Sequence, residues 1–168
     1  VHHLGCVGHS VVMVHGVFYA TTKGVSLEAA TFIISIYSFT SIASRFMVPV
    51  LADRLGAKGV MAFFYLLQGL SVVMLFWTQE AWQFYLFAVL FGIGFGGRTP
   101  LTTAIRGEYF GRASFGKILG ISTVPMNILL LISSPLAGFM RDELGDYDMA
   151  FLLLAGLNTL GAVFFLIA

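Results

Sequence analysis

Residues 59–78 read GVMAFFYLLQGLSVVMLFWT, twenty positions without a charge. At about 1.5 Å per residue a helix of that length reaches about 30 Å, the thickness of a bilayer's hydrocarbon core. Lys58 closes the stretch on one side, and Gln79 and Glu80 close it on the other. The pattern repeats outward in both directions. Charged and turn-forming positions divide the chain into six apolar spans, at roughly 1–20, 29–52, 59–78, 81–105, 115–140 and 149–168. The breaks between them are short: Thr21 to Glu28, Asp53 to Lys58, Gln79 and Glu80, Arg106 to Ser114, and Arg141 to Asp148. Backbone groups in lipid must be satisfied internally, so helices are expected. Runs such as Phe151 to Leu154 lack the alternation of a barrel strand. The expected fold is all-α and polytopic, with six transmembrane helices in one up-and-down bundle over 1–168.

Composition agrees. The chain of 168 residues is 58% hydrophobic and 10% charged, where a soluble domain carries about a quarter charged residues. That excludes an ordinary soluble enzyme or a secreted disulfide scaffold. A net charge of +1 gives no footprint for nucleic acid. Cys6 is the one cysteine, so no internal disulfide is possible and no Cys-rich metal site exists. There is no Ser/His pairing motif, no His-Glu-x-x-His zinc motif and no pair of carboxylates within a span, so neither enzymatic activity, cofactor nor metal is expected. The chain begins at Val1 and closes in mid-hydrophobic run, which leads us to expect a piece of a longer protein.

Basic residues orient the bundle. The breaks after the second and fourth spans, with their flanks, hold Arg54, Lys58, Arg106, Arg112 and Lys117; the opposite side holds Lys23 and Arg141. Five against two places the first group, and both chain ends, in the cytoplasm, in a plasma or inner membrane.

Arg45 and Arg98 are left inside spans, with no acid inside any span to pair with them. They precede Arg54 and Arg106 by nine and eight residues, so both lie about 12–14 Å from the boundary, near mid-membrane. A charge there costs about 2.5–3.5 kcal/mol on insertion scales, and such residues line wet cavities or ion paths. Thr31, Ser38, Ser41 and Arg45 recur at helical spacing as one polar stripe. Arg98 follows the glycines of Gly92 to Gly97, which permit close backbone approach or local unwinding, and Pro100 follows it. Asn127 lies on a polar face of the fifth span with Thr123 and Ser134, and His15 and Tyr19 lie four apart on the first. Spans three and six contain no charge, which suggests that spans one, two, four and five line a path while three and six face lipid. The expected substrate contacts are Arg45, Arg98, Ser41, Ser38, Asn127 and Tyr19, with His15 as the proton-coupling candidate. Each has a plainer reading. Arg45 could pair with carbonyls or with an acid elsewhere in a longer chain. Arg98 could hold the glycine-rich backbone, and Asn127 or His15 could bond a neighbouring helix. His2, His3 and His9 fit no metal spacing and are set aside.

Pro49-Val50-Leu51-Ala52-Asp53-Arg54-Leu55-Gly56-Ala57-Lys58 resembles the signature loop of the major facilitator superfamily, matching at Leu51, Asp53, Arg54, Gly56 and Lys58 and departing at Pro49 and Ala57. The stretches Gly92 to Gly97, Pro100-Leu101, Gly107 to Arg112, Phe115 to Gly120, Ser134 to Gly138 and Arg141 to Tyr147 resemble that superfamily's monocarboxylate transporter and oxalate/formate antiporter branch. So does Lys23 to Ser26 followed by Glu28-Ala29-Ala30. The resemblance implies the C-terminal six-helix half of a twelve-helix carrier, its missing partner half supplying the other wall. It implies transport of a small organic anion, with monocarboxylates foremost, by symport or antiport with or without a proton. Arg45 matches the branch's carboxylate-binding arginine. The aspartate that monocarboxylate carriers place one turn earlier is Ser41 here, and the lysine of the oxalate carriers has no counterpart, Asn127 lying nearest. Asp53, Arg54, Lys58, Glu108 and Arg112 become candidates for a conformational latch. The resemblance gives Arg98 no role. The rival expectations are a carrier of a larger or neutral solute (drug, sugar or peptide), a non-transporting membrane sensor, and a half-transporter that pairs with itself.

Overall fold

A computed structural model describes residues 2–167, without the side chains of 2–5, 112 and 165. Six helices cover it, and no strand occurs among the described residues. Helix α1 runs His2–Thr22, α2 Leu27–Leu55 and α3 Ala57–Met74, the last extended by a tight turn over Leu75–Trp77. A long helical path follows from Ala81 to Leu144, broken at Gly111 (φ 68°, ψ 167°), a conformation open to glycine and closed to most side chains. It is therefore two helices, α4 Ala81–Gly111 and α5 Ala113–Leu144. Helix α6 is Asp148–Ile167. Four of these, Leu27–Leu55, Ala57–Trp77, Ala81–Gly111 and Ala113–Leu144, are long and apolar enough to cross a bilayer by themselves.

A helix lies over each of the six expected spans, and the helices reach further than the apolar runs. Glu28, Asp53 and Arg54 lie within α2, where Ser26 caps the start by accepting from the Ala29 amide at 3.3 Å. Arg106 and Glu108 lie within α4, so the expected loop over 106–114 is a one-residue kink. Charged residues are good helix formers once the chain leaves lipid, so helicity outlasts hydrophobicity.

The core lies where α1, α4 and α6 meet, through Val11, Tyr19, Phe84, Phe87, Phe91, Phe151 and Leu154. A smaller cluster of Val48, Met61, Phe64, Tyr65, Leu101 and Ala162 joins α2, α3, α4 and α6. Helix α3 departs from its expected lipid-facing role, because it buries Tyr65, Gln68, Ser71 and Val72 against its neighbours, and α6 buries Asn158. The least covered helices are α2 and α5; the most apolar stretch of α5 buries no residue within the bundle.

Candidate functional site

The glycines of α4 bring three helices together. A methyl group on Gly96 would strike the carbonyl of Ser41, and one on Gly92 would strike the Thr40 hydroxyl and come within 2.7 Å of the Tyr37 carbonyl. On the opposite face, groups on Gly94 and Gly97 would meet Gln68 at 3.0 Å and the Phe64 ring at 2.8 Å. Alternate sides of one glycine-rich turn thus seat α2 and α3, as small residues do between membrane helices. Ser44 ties the α2 seam by donating to the Ile93 carbonyl at 2.9 Å.

Arg98 follows that segment and is fully buried, with 0% exposure. Its Nε donates to Gln68 Oε1 at 2.7 Å and an Nη to the Tyr65 hydroxyl at 3.3 Å. The Cys6 sulfur lies 3.9 Å away, and the guanidinium lies 4.9 Å from the centres of both the Tyr65 and the Phe95 rings. The expectation that Arg98 lacks a partner is therefore corrected. The helix that holds it is α3, whose contacting residues Gln68 and Tyr65 carry no formal charge and so gave no signal when charges were counted.

Across the Phe95 ring lies a histidine set aside on the sequence. His9 stacks on Phe95 at 3.9 Å and on Tyr37 at 5.5 Å, and its Nδ1 shares a hydrogen bond of 2.9 Å with the Tyr37 hydroxyl. Ser41 is buried beside the Tyr37 hydroxyl, where its Oγ makes no well-formed hydrogen bond to a described residue.

Arg45 differs from Arg98 in every respect. It borders the buried stripe of α2 formed by Tyr37, Ser41, Ser44 and Val48, one turn beyond Ser41. It is exposed and forms no hydrogen bond or ion pair with a described residue. Ser38, two turns earlier on that border, is exposed too. Arg45 and Ser38 thus share an exposed border of α2 beside the buried Tyr37 and Ser41, while His9 packs on Tyr37 and is separated from Arg98 by the Phe95 ring.

The remaining candidates lie elsewhere. Tyr19 is a core residue, 2% exposed, whose hydroxyl donates to the Leu75 carbonyl at 3.2 Å, far along α1 from His9. Asn127 is exposed on α5 without a described partner. His15 bridges helices: its Nε2 is 2.9 Å from the Ser134 carbonyl and its Nδ1 is 3.0 Å from the Tyr147 hydroxyl. A carbonyl only accepts, so Nε2 carries a proton, and in the neutral ring Nδ1 accepts from Tyr147. Burial raises the pKa of that hydroxyl and keeps it a donor. Asp53, Arg54, Lys58 and Glu108 are exposed and form no ion pair among the described residues, where Arg141 with Asp142 (2.8 Å) is the one pair found. The Arg112 side chain lies outside the described residues.

With this geometry in view, comparisons with known proteins agree on a family. The major facilitator superfamily model matches residues 4–168. Monocarboxylate transporter 12 of Rattus norvegicus is 31% identical over 150 residues, covering 87% of this chain and 31% of that protein. Human monocarboxylate transporter 11 is 26% identical over 168 residues, covering 95% and 36%; human monocarboxylate transporter 2 is 24% identical over 153, covering 89% and 32%. The chain spans about a third of the length of these relatives. A charge-poor six-helix bundle, its glycine-seated helix seam and a match over nearly its whole length lead to one conclusion: the chain is an integral membrane protein of the major facilitator superfamily and resembles the monocarboxylate transporter branch.

Proposed function

We propose that the chain is half of a secondary transporter for small organic anions, monocarboxylates foremost, and that Arg45 is the carboxylate anchor. The observation that carries this reading is the contrast between two arginines at matching depth. Arg98 is buried and its donors are engaged by Gln68 and Tyr65, whereas Arg45 stands exposed with no described partner. A guanidinium presents a planar fork that a carboxylate accepts in two parallel hydrogen bonds. Ser38, exposed on the same border of α2, supplies a hydroxyl two turns away, while the expected contact Ser41 is buried behind it. The names of the relatives support the substrate class.

On this reading Arg98 shapes the site from behind: it fixes Phe95, which fixes the His9 ring. His9 rather than His15 is our candidate for a co-transported proton, because its Nε2 makes no hydrogen bond to a described residue while both nitrogens of His15 are committed to a helix bridge. An anion bound at Arg45 cancels a neighbouring positive charge and makes a proton on His9 more favourable, and by reciprocity the proton strengthens anion binding. The Arg45 border of α2 and the exposed side of α5 face a second six-helix half, and rocking of the halves about a midplane site moves the substrate. The end of α2 with Asp53, Arg54 and Lys58 is cytoplasmic, and Asp53 and Lys58, with Glu108 and Arg112, exchange partners as the halves rock.

The test is uptake of a labelled monocarboxylate by cells expressing the full-length protein. Arg45→Ala is expected to abolish uptake with membrane insertion unchanged. Undiminished uptake by an inserted Arg45→Ala protein would remove the anchor; uptake of drugs or sugars that monocarboxylates do not compete would favour a carrier of larger solutes.

A further inference from the structure

On the border of α2 opposite Arg45 lies a groove of about 460 Å³, walled by α2, Phe64 of α3 and Ile93 of α4. Along α2 it follows Thr40, Ala43, Met47, Val50 and Leu51 and ends at Arg54. Ala43 lies two residues from Arg45, a rotation of about 160° by the shorter way round the helix, so the groove looks away from the proposed substrate side. Its hydroxyls are spent internally. Thr40 donates to the Ile36 carbonyl at 2.9 Å and Ser44 to the Ile93 carbonyl at 2.9 Å. The slot therefore offers an occupant hydrocarbon walls and one cation at one end.

That cation is uncommitted. Arg54 is exposed and makes no ion pair among the described residues, and its neighbour Asp53 neither pairs with it nor lines the groove. A second apolar pocket of about 420 Å³, lined by Leu51, Leu55, Gly59, Val60 and Phe63, shares Leu51 with the first, so the two cavities flank Arg54 in sequence. Lys58, also exposed, adds a second positive charge at that end.

The length fits one class of molecule. From Thr40 to Arg54 is fourteen residues, about 21 Å along the axis. Half of a roughly 30 Å hydrocarbon core is about 15 Å, and a headgroup layer adds about 5–7 Å. With Arg54 at the boundary, the stretch from Ala43 to Arg54, about 16.5 Å, covers one leaflet, the reach of one lipid, and Thr40 lies just past the midplane. Two adjoining apolar cavities beside one cation match two acyl chains and one anionic headgroup.

We propose that this α2–α4 groove is a binding site for an anionic phospholipid, its phosphate on Arg54 and one acyl chain lying along Ala43, Met47 and Val50. The site is independent of the transport reading, since it requires only that the chain lies in a bilayer.

The test places a reporter in the groove. The purified protein carrying Met47→Trp is reconstituted in vesicles of phosphatidylcholine with a small fraction of brominated phosphatidylglycerol or brominated phosphatidylcholine, and the parent's fluorescence is subtracted. Brominated phosphatidylglycerol is expected to be preferred about five-fold at the reporter, the equivalent of one surface cation facing an anionic lipid. Arg54→Gln should erase that preference while the phosphatidylcholine signal stays. Equal quenching by both lipids in the Arg54 protein would overturn the proposal, and so would absence of quenching by either, which would mean that protein covers the groove. Val50→Trp repeats the measurement one turn nearer Arg54 should Met47→Trp fail to fold.

Discussion

A buried arginine without a carboxylate is held by its neighbours, and removing the nearest of them gives a quantitative test. In Gln68→Leu the Nε of Arg98 loses its acceptor at 2.7 Å in a site with no exposure, while the Tyr65 hydroxyl and the two ring contacts remain. A hydrogen bond to a charged group contributes about 1.5–3 kcal/mol, and measured interhelical bonds in membranes fall lower, reaching about 1.7. Because the stranded group is a full charge, we expect a loss of about 2 kcal/mol. Arg98→Met removes the charge and strands the Gln68 amide oxygen, again for about 2 kcal/mol. The double variant Gln68→Leu/Arg98→Met removes both members of the pair, leaves the Tyr65 hydroxyl to be accommodated, and should lie within about 1 kcal/mol of the parent. The cycle therefore predicts a coupling of about 3 kcal/mol. The assay is reversible unfolding of the purified protein in mixed micelles by titrated sodium dodecyl sulfate. Single-variant losses that add in the double to within about 0.5 kcal/mol, the tolerance for independent sites, would refute this account of Arg98.

Other expectations follow from the same geometry. Gly96→Leu drives a side chain into the Ser41 carbonyl and should prevent accumulation of folded protein, whereas Gly107→Ala, with nothing within 4 Å, should raise stability by up to about 1 kcal/mol; expression and thermal melting compare them. His9→Gln should flatten the pH dependence of KM for a monocarboxylate: in the parent KM falls as pH falls, since proton and anion favour each other, and in the variant it stays constant. Tyr147→Phe removes the donor to His15 Nδ1 and should lower stability by about 1 kcal/mol, while leaving that pH dependence in place, as titration of uptake in both variants would show.

The helices were legible because lipid imposes a simple demand: twenty residues such as 59–78 without a charge have few alternatives to a spanning helix. Arg45 stood out on similar grounds, as a charge left over after the loops were counted, and it is exposed without a described partner; its role is the proposal made above. The glycines before Arg98 were read as sites of close approach, and Gly92 and Gly96 against α2 show that directly. The sequence could not reveal which arginine was already held. Gln68 and Tyr65 are thirty and thirty-three residues from Arg98 in the chain and carry no formal charge, so only packing brings them to it. His9 was missed for a related reason. Its meaning comes from Tyr37 and Phe95 on other helices, and no spacing along the chain encodes that. Tyr19 erred the other way: four residues from His15 it reads as part of a polar face, yet its ring is core and its hydroxyl serves the Leu75 carbonyl. The expected loop over 106–114 failed because polarity marks where lipid ends, and the helix ends elsewhere, at Gly111.

The most direct measurement is calorimetric binding of a small 2-hydroxy monocarboxylate and of its uncharged amide to the purified full-length protein and to Arg45→Gln. The account predicts that the parent binds the acid at least tenfold more tightly than the amide, and that Arg45→Gln binds both with the same weak affinity. An Arg45→Gln protein that still distinguishes acid from amide as the parent does would contradict it.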